Sequence, residues 1–401
     1  VPGGCHGKNV YSLIDKEDIM VNVAQDVERL PRSGIRELMG LALSIPDAIH
    51  LEIGEPHFPT PTFILEGLRE FYEKGDIKYT PTVGIHSLRA KIAQKLLSEK
   101  NWEVGADDVI ILPGSLFGTV VAFRTVLESG DEVLVPDPGF TNHFSQVELT
   151  GGKAKRYFLL TENNYLPDFD AIRKSITPRT KMILVNTPSN PLGVVFPEEV
   201  MKSFSDLAEE YNLIVISDEA YEKYIYQGQH FGMYRYVRPE RLISIFSFSK
   251  TYALTGWRVG YMVVPKDLLV HLMKVSEYLI ACTSHLSQKA AEIALDMPES
   301  EIQAMVESYR ENCELCCSGL EAAGFKVFRP GGGYYVWVDI REFGMKSLDF
   351  CKTLLRENKV AVAPGDTFGQ SSEGFIRISI CRKKIEVEKG VRRIAAFRRK
   401  L

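Results

Sequence analysis

The stretch KMILVNTPSNPLGVVFPEEVMKSFSDLAEEYNLIVISDEAYEKY, residues 181–224, contains a complete strand, helix, strand unit. Its two apolar runs, KMILV (181–185) and LIVIS (213–217), are strand length and apolar throughout, which requires burial on both faces. Between them PEEVMKSFSDLAEEY has the spacing of an amphipathic helix. A pair of parallel strands joined by a helical crossover is the economical reading. Similar runs lie outward from it, VIIL (109–112), EVLVP (132–136) and LISIF (242–246), with amphipathic stretches between. The sequence therefore predicts an α/β fold, a large domain with a mostly parallel central sheet flanked by helices.

The last hundred residues read differently. A long helical pattern runs from Ser300 to Ala323, strands FKVF and YYVWVDI follow, then a helix near Leu348–Glu357, the strand FIRISI and a basic terminal helix. We expect a smaller α+β domain there. The division implied is 1–52 as an N-terminal segment and part of the small domain, 53–295 as the large domain and 296–401 as the small one. The arginines of GVRRIAAFRRKL flank apolar residues at helical spacing and read as a solvated helix face.

Composition narrows the partners. The 401 residues are 45% apolar and 25% charged, with a formal net charge of −4, so no broad positive field invites a nucleic acid or an anionic membrane. No apolar run reaches the length of a spanning helix, and VPGGCHGKNVYSLIDKED lacks the regions of a secretory signal. A soluble, cytoplasmic protein acting on small molecules is expected. Seven cysteines, scattered from Cys5 to Cys381, give no disulfide framework. Cys313, Cys316 and Cys317 include a CxxC, but in a helical stretch without a second CxxC or a histidine pair, so buried thiols are expected there and no metal.

Chemistry is expected where strands end. Lys250, in SFSKTYALTGWRVGY (247–261), follows LISIF in the loop where open α/β sheets place ligands, with Arg258 eight residues on. Desolvation and a nearby cation are what lower a lysine pKa enough for nucleophilic work, although a lone loop lysine is an ordinary surface residue. Asp218 follows LIVIS, with Tyr221 three residues later; the aspartate could equally cap a helix. In NTPSNPLG the turn containing Asn190, Pro191 and Gly193 could project an amide, or be only a turn. ILPGSLFGTVVAF passes from strand through Gly114 and Ser115 into a helix, the arrangement in which backbone N–H groups and the helix dipole face an anion. Phe140 follows EVLVP and could cover a flat ligand or fill core. Anion cradle, aromatic plate, amide, carboxylate and lysine together fit one aromatic aldehyde phosphate.

These segments, with LEIGEPHFPTP, YTPTVGIHSLR, GGGYYVWVDI and FIRISI in the same order, resemble the fold-type I pyridoxal-phosphate enzymes of the class I/II aminotransferase superfamily from about Ile53 to Arg393. The resemblance implies pyridoxal 5'-phosphate joined covalently to Lys250, Asp218 at its ring nitrogen, Tyr221 and Asn190 at its phenolic oxygen and Phe140 stacked on its ring. It implies a phosphate held by Gly114, Ser115, Leu116, Ser247 and Arg258, and by Tyr79 from a second subunit, hence a homodimer with shared sites. It places the substrate carboxylate on Arg377 and lines the substrate side with Gly54 and Asn190. The family carries Trp or Tyr in many members where Phe140 stands.

The reaction implied is transfer of an amino group from an L-amino acid, neutral or aromatic by preference, to a 2-oxo acid. No second arginine marks a dicarboxylate substrate. A lyase, cyclase or oxidase on the same scaffold is the alternative, and a non-catalytic sensor a further one, although a sensor need not keep the lysine base. Arg377 alone, in the alternating strand FIRISI, reads as an ordinary solvent-facing arginine.

Overall fold

A computed structural model describes residues 22–31 and 33–401; the N-terminal stretch read above, with Cys5, lies outside them. Thirteen strands are found among the described residues: β1 (Ile49–His50), β2 (Val109–Leu112), β3 (Glu132–Asp137), β4 (Lys153–Phe158), β5 (Thr180–Asn186), β6 (Ile214–Asp218), β7 (Leu242–Ser247), β8 (Gly260–Val263), β9 (Lys326–Phe328), β10 (Tyr335–Asp339), β11 (Val360–Ala361), β12 (Ala363–Pro364) and β13 (Phe375–Ser379). Seven form the central sheet in the order β2-β8-β7-β6-β5-β3-β4. The neighbours from β7 to β4 are parallel, and β8 alone runs against its neighbours. The expected α/β architecture with a mainly parallel sheet is found.

Burial on both faces explains the unbroken apolar runs. In β5, Ile183 and Val185 enter one buried cluster while Met182 and Leu184 enter another on the opposite face. The same division places Val215 and Ile216 of β6 in those two clusters. Helices cover both faces, among them Ser115–Val126 and the amphipathic Glu198–Glu210.

A second sheet, β12-β13-β10-β9, is antiparallel throughout, and the long helix Glu299–Ala322 buries Cys313, Cys316 and Cys317. The chain from β1 joins this part of the molecule: β1 pairs with β11, and Ser379 N–H donates to the Leu51 carbonyl at 2.8 Å. Residues 51–54 then continue to the rim of the central sheet. No helix among the described residues is long and apolar enough to cross a membrane.

Because β2, β3, β5, β6 and β7 point the same way, their carboxyl ends share one rim. Gly114, Phe140, Asn190, Asp218 and Lys250 each lie at or just beyond one of those ends. Arg258 reaches the same rim from the opposite direction, two residues before β8 starts.

Candidate active site

Lys250 stands in the short helix Phe248–Thr251 directly after β7 and is half-buried. Its Nζ donates to the Gly54 carbonyl at 2.6 Å. Its own carbonyl accepts from the Tyr224 and Tyr334 hydroxyls, each at 3.1 Å, so two phenols fix the backbone that carries the amine. Burial pushes the Lys250 pKa down; Cys381 and Glu55 oppose that, while Arg377 and Arg258 reinforce it. A disfavoured ammonium means a larger share of the neutral amine that attacks carbonyl carbon.

Asp218 ends β6, and a turn follows it, so it caps no helix. One carboxylate oxygen accepts from Ala220 N–H at 3.1 Å and the other lies 3.0 Å from His143 Nε2. His143 is fully buried, and its Nδ1 has no partner among the described residues. The sequence reading missed this histidine. The one available signal was its position three residues after Phe140, on the first turn of the helix Thr141–Leu149. The two rings meet edge to face, 5.3 Å between centroids, so the aromatic plate and the partner of Asp218 are placed by one helix start.

The turn between β2 and the helix Ser115–Val126 passes through Gly114, whose φ of +93° suits glycine. A Cβ there would stand 2.5 Å from Arg258 Nη2, and one on Gly260 would stand 2.8 Å from the Ser115 nitrogen. Two missing side chains thus let backbone N–H groups and a guanidinium approach one point. The N–H groups of Ser115 and Leu116, in the first turn of a 12-residue helix, have no intrahelical acceptor to reach. Arg258 donates to the Thr255 carbonyl at 3.0 Å and makes no ion pair among the described residues. Ser247 Oγ accepts from Ser249 N–H at 3.2 Å, which leaves the hydroxyl proton to donate. Tyr79 is apart from this cluster, 93% exposed and in no side-chain hydrogen bond or aromatic pair of the described residues.

Arg377, at the centre of β13, overturns the solvent-face expectation: all five residues of the strand are buried and Arg377 is 3% exposed. Nη1 donates to Asn190 Oδ1 at 2.9 Å and Nη2 to the Glu52 carbonyl at 2.5 Å, while Nε has no partner. The guanidinium lies over the Tyr335 ring, 4.0 Å from its centroid, and 4.7 Å from that of Phe368. No carboxylate among the described residues pairs with it. Asn190 N–H donates to Asn186 Oδ1 at 3.0 Å, and Asn186 Nδ2 to the Asp218 carbonyl at 3.1 Å, which ties the amide turn to the end of β6. Tyr221 hydrogen-bonds Tyr335, hydroxyl to hydroxyl, at 3.0 Å.

The structure therefore links Lys250 to Gly54 and Arg377 to Asn190 directly, Asp218 to Asn190 through Asn186, and Tyr221 to Gly54 and Arg377 through Tyr335, while Gly114 lies against Arg258 at the start of the helix that Ser115 and Leu116 open. Phe140 and His143 also line a chamber of about 440 Å³ whose walls include Phe144, Phe368 and Arg156. One other polar cluster, Glu219, Glu222 and His230, brings three potential ligand atoms together, but the Lys100 ammonium already pairs with Glu222, and His230 with Glu219 at 2.6 Å. It is a partly buried network of paired polar groups.

The chain belongs to the family described as aminotransferase class I and II, whose sequence model matches residues 46–394. It is 36% identical over 375 residues to a probable aspartate aminotransferase of Methanocaldococcus jannaschii, covering 92% of this chain and 98% of that protein. It is 33% identical to an aromatic-amino-acid aminotransferase of Thermococcus litoralis over 92% of this chain and 96% of the relative. The solved structure of an aspartate aminotransferase from Thermotoga maritima superposes with a TM-score of 0.89 at 30% identity, over 94% of this chain and 99% of that one. The protein is an aminotransferase, a transferase of the fold these structures share. The lyase, cyclase and oxidase alternative finds no support among these relatives.

Proposed function

We propose that this aminotransferase uses pyridoxal 5'-phosphate to move the amino group of an L-amino acid, neutral or aromatic by preference, to a 2-oxo acid. The observation that carries the reading is Lys250, a lysine of lowered pKa at a strand end, flanked by the buttressed carboxylate of Asp218 and two guanidiniums without ion pairs. The donor set fits the cofactor. The N–H groups of Ser115 and Leu116, the Ser247 hydroxyl and Arg258 would take the phosphate, and Phe140 would cover the ring.

When bound, the cofactor supplies an electron sink for the charge left at Cα as its proton departs. Asp218, oriented by His143, would hold a proton on the ring nitrogen. Tyr221 and Asn190 would donate to the phenolic oxygen; Asn190 Oδ1 is occupied by Arg377, so its Nδ2 is the atom free to do so. Arg377 would orient the α-carboxylate, and the Lys250 amine would move the proton from Cα as general base.

The preference for neutral or aromatic side chains is supported by the lack of a free guanidinium in the chamber beside Phe140: its walls carry Phe144 and Phe368 with the acidic Glu37, Asp366 and Glu373, and Arg156 there is already paired with Asp137 at 2.7 Å. A homodimer with shared sites, in which Tyr79 would reach the partner's phosphate, is supported by the exposure of Tyr79 and Tyr278, 93% and 85% on the single protomer. Six free cysteines among the described residues support a cytoplasmic setting, and the two sheets support the domain limits 53–295 and 296–401.

The experiment is to add single L-amino acids to reconstituted protein without an acceptor. One equivalent of 2-oxo acid per site, and no more until a second oxo acid is added, is expected. Continuous release of ammonia, carbon dioxide or peroxide would overturn the reading.

A further inference from the structure

The Tyr221 and Tyr335 hydroxyls lie 3.0 Å apart, and both side chains are buried. Tyr221 leaves the turn after β6, whereas Tyr335 opens β10, so the contact joins the rim of the central sheet to the second sheet. The Tyr335 ring is held on several sides. Its face carries Arg377, with Cζ 4.0 Å from the centroid, and its hydroxyl end abuts Gly54, where an added Cβ would stand 1.9 Å from the oxygen. That phenol has no room to seek another partner, and neither hydroxyl makes a second hydrogen bond among the described residues. The neighbouring Tyr224 and Tyr334 are engaged elsewhere, both on the Lys250 carbonyl.

A phenol has one proton to donate and lone pairs with which to accept. If Tyr221 gives its proton to the cofactor's phenolic oxygen, the direction of the other bond is fixed: Tyr335 donates and Tyr221 accepts. Donors in series ending on an anionic oxygen polarise one another, so the terminal bond is strengthened. We propose that Tyr335 is a positioning residue acting through Tyr221, setting the orientation and donor strength with which Tyr221 meets the cofactor's phenolic oxygen. This rests on the pyridoxal-phosphate reading of the site. Packing alone would need only the ring, which phenylalanine retains.

The test is a pH titration of the absorbance of the reconstituted holoprotein, in which the chromophore linked to Lys250 changes as its nitrogen loses a proton. Donation to the phenolic oxygen withdraws charge from the conjugated system and lowers that nitrogen's proton affinity. Tyr335→Phe is therefore expected to move the transition upward by about a tenth to a third of a pH unit, the share of a neutral hydrogen bond that one donor in series adds. Tyr221→Phe is expected to move it further, and the double variant no further than Tyr221→Phe alone, because Tyr335 acts through Tyr221. A Tyr335→Phe titration superimposable on the parent, or additive shifts in the double variant, would overturn the assignment. If the parent protein forms no pH-dependent chromophore with pyridoxal phosphate, the cofactor reading itself fails and takes the assignment with it.

Discussion

Replacing Arg377 by lysine tests whether this buried cation exists to hold a carboxylate. A guanidinium has five N–H donors; two are used here, one on Asn190 Oδ1 and one on the Glu52 carbonyl, leaving Nε–H and one N–H on each Nη. Those can form the two parallel bonds of a carboxylate fork. Lysine has three donors, and keeping Asn190 and Glu52 satisfied would leave one for the substrate. The variant loses one charge-assisted hydrogen bond, roughly 1.5 to 3 kcal/mol, and part of the stacking on Tyr335 and Phe368, about 0.5 to 1 kcal/mol more. The total, roughly 2 to 4 kcal/mol, corresponds to about 30- to 1000-fold in kcat/KM. Because the bond is made in ground and transition states alike, most of the loss should fall in KM. The assay is single-turnover kinetics with an L-amino acid and with the amine of the same side chain lacking the carboxylate. The amino acid should lose the full factor and the amine almost nothing. Equal losses for both, or less than about a threefold loss for the amino acid, would refute the carboxylate role.

Three further outcomes follow from the same geometry. Gly114→Ala places a Cβ at φ +93° and against Arg258 Nη2, costing roughly 1 to 2 kcal/mol of stability by urea denaturation; it should weaken binding of pyridoxal phosphate but not of pyridoxal, and equal weakening would discredit the cradle. His143→Ala leaves one Asp218 oxygen unpaired, costing roughly 1 to 3 kcal/mol of apoprotein stability and slowing turnover; unchanged turnover with full cofactor occupancy would count against the buttressing role. Lys250→Met bears on the lowered lysine pKa. In the folded apoprotein the charged form is disfavoured, so between the lowered value and the ordinary 10.5 the unfolded chain binds a proton the native one does not, and native stability rises with pH. The stability of Lys250→Met relative to the parent is therefore greatest below that window and declines as pH rises toward 10.5; a difference flat in pH, or one growing with it, would contradict the lowered pKa.

Strands buried on both faces were the legible part of the fold, because such runs have no polar residue to blur their ends. VIIL and LISIF match β2 and β7 to within a residue. The edge strand β4, KAKRYF, was invisible: on one side it has no neighbour to bury it, and its charged residues read as loop. The chemistry was legible where a residue follows a strand, since the end of the strand fixes its place on the rim. Contacts made across the fold were not. His143 meets Asp218 across 75 residues of sequence, and Tyr335 meets Tyr221 across 114. The burial of Arg377 was hidden for a related reason: alternation along β13, taken alone, predicts one wet face, but Tyr335 and Phe368 cover it from two other segments.

The charges gathered at the rim are uneven. Of the residues gathered on the rim, Lys250, Arg258 and Arg377 are cations and Asp218 is a carboxylate, and none of the three cations forms an ion pair among the described residues. One residue beyond Asp218, the same fold balances buried charge without difficulty. Burial opposes ionisation of Glu219, yet His230 and Lys100 outweigh it and hold that carboxyl well below its ordinary pKa. The imbalance at the rim is thus a local property and not a failing of the scaffold. A cation as buried as Arg377 costs stability without a counter-ion unless the working protein supplies the missing charge, whereas Arg258 is exposed and keeps its water. A phosphate of roughly −1.5 to −2 beside Arg258 and the helix start, and a carboxylate on Arg377, would bring about three negative charges against the three cations, with Asp218 left to balance a protonated ring nitrogen. Addition of both ligands should then stabilise the protein more than either alone, and Lys250 remains the one cation that can cancel its charge by giving up a proton.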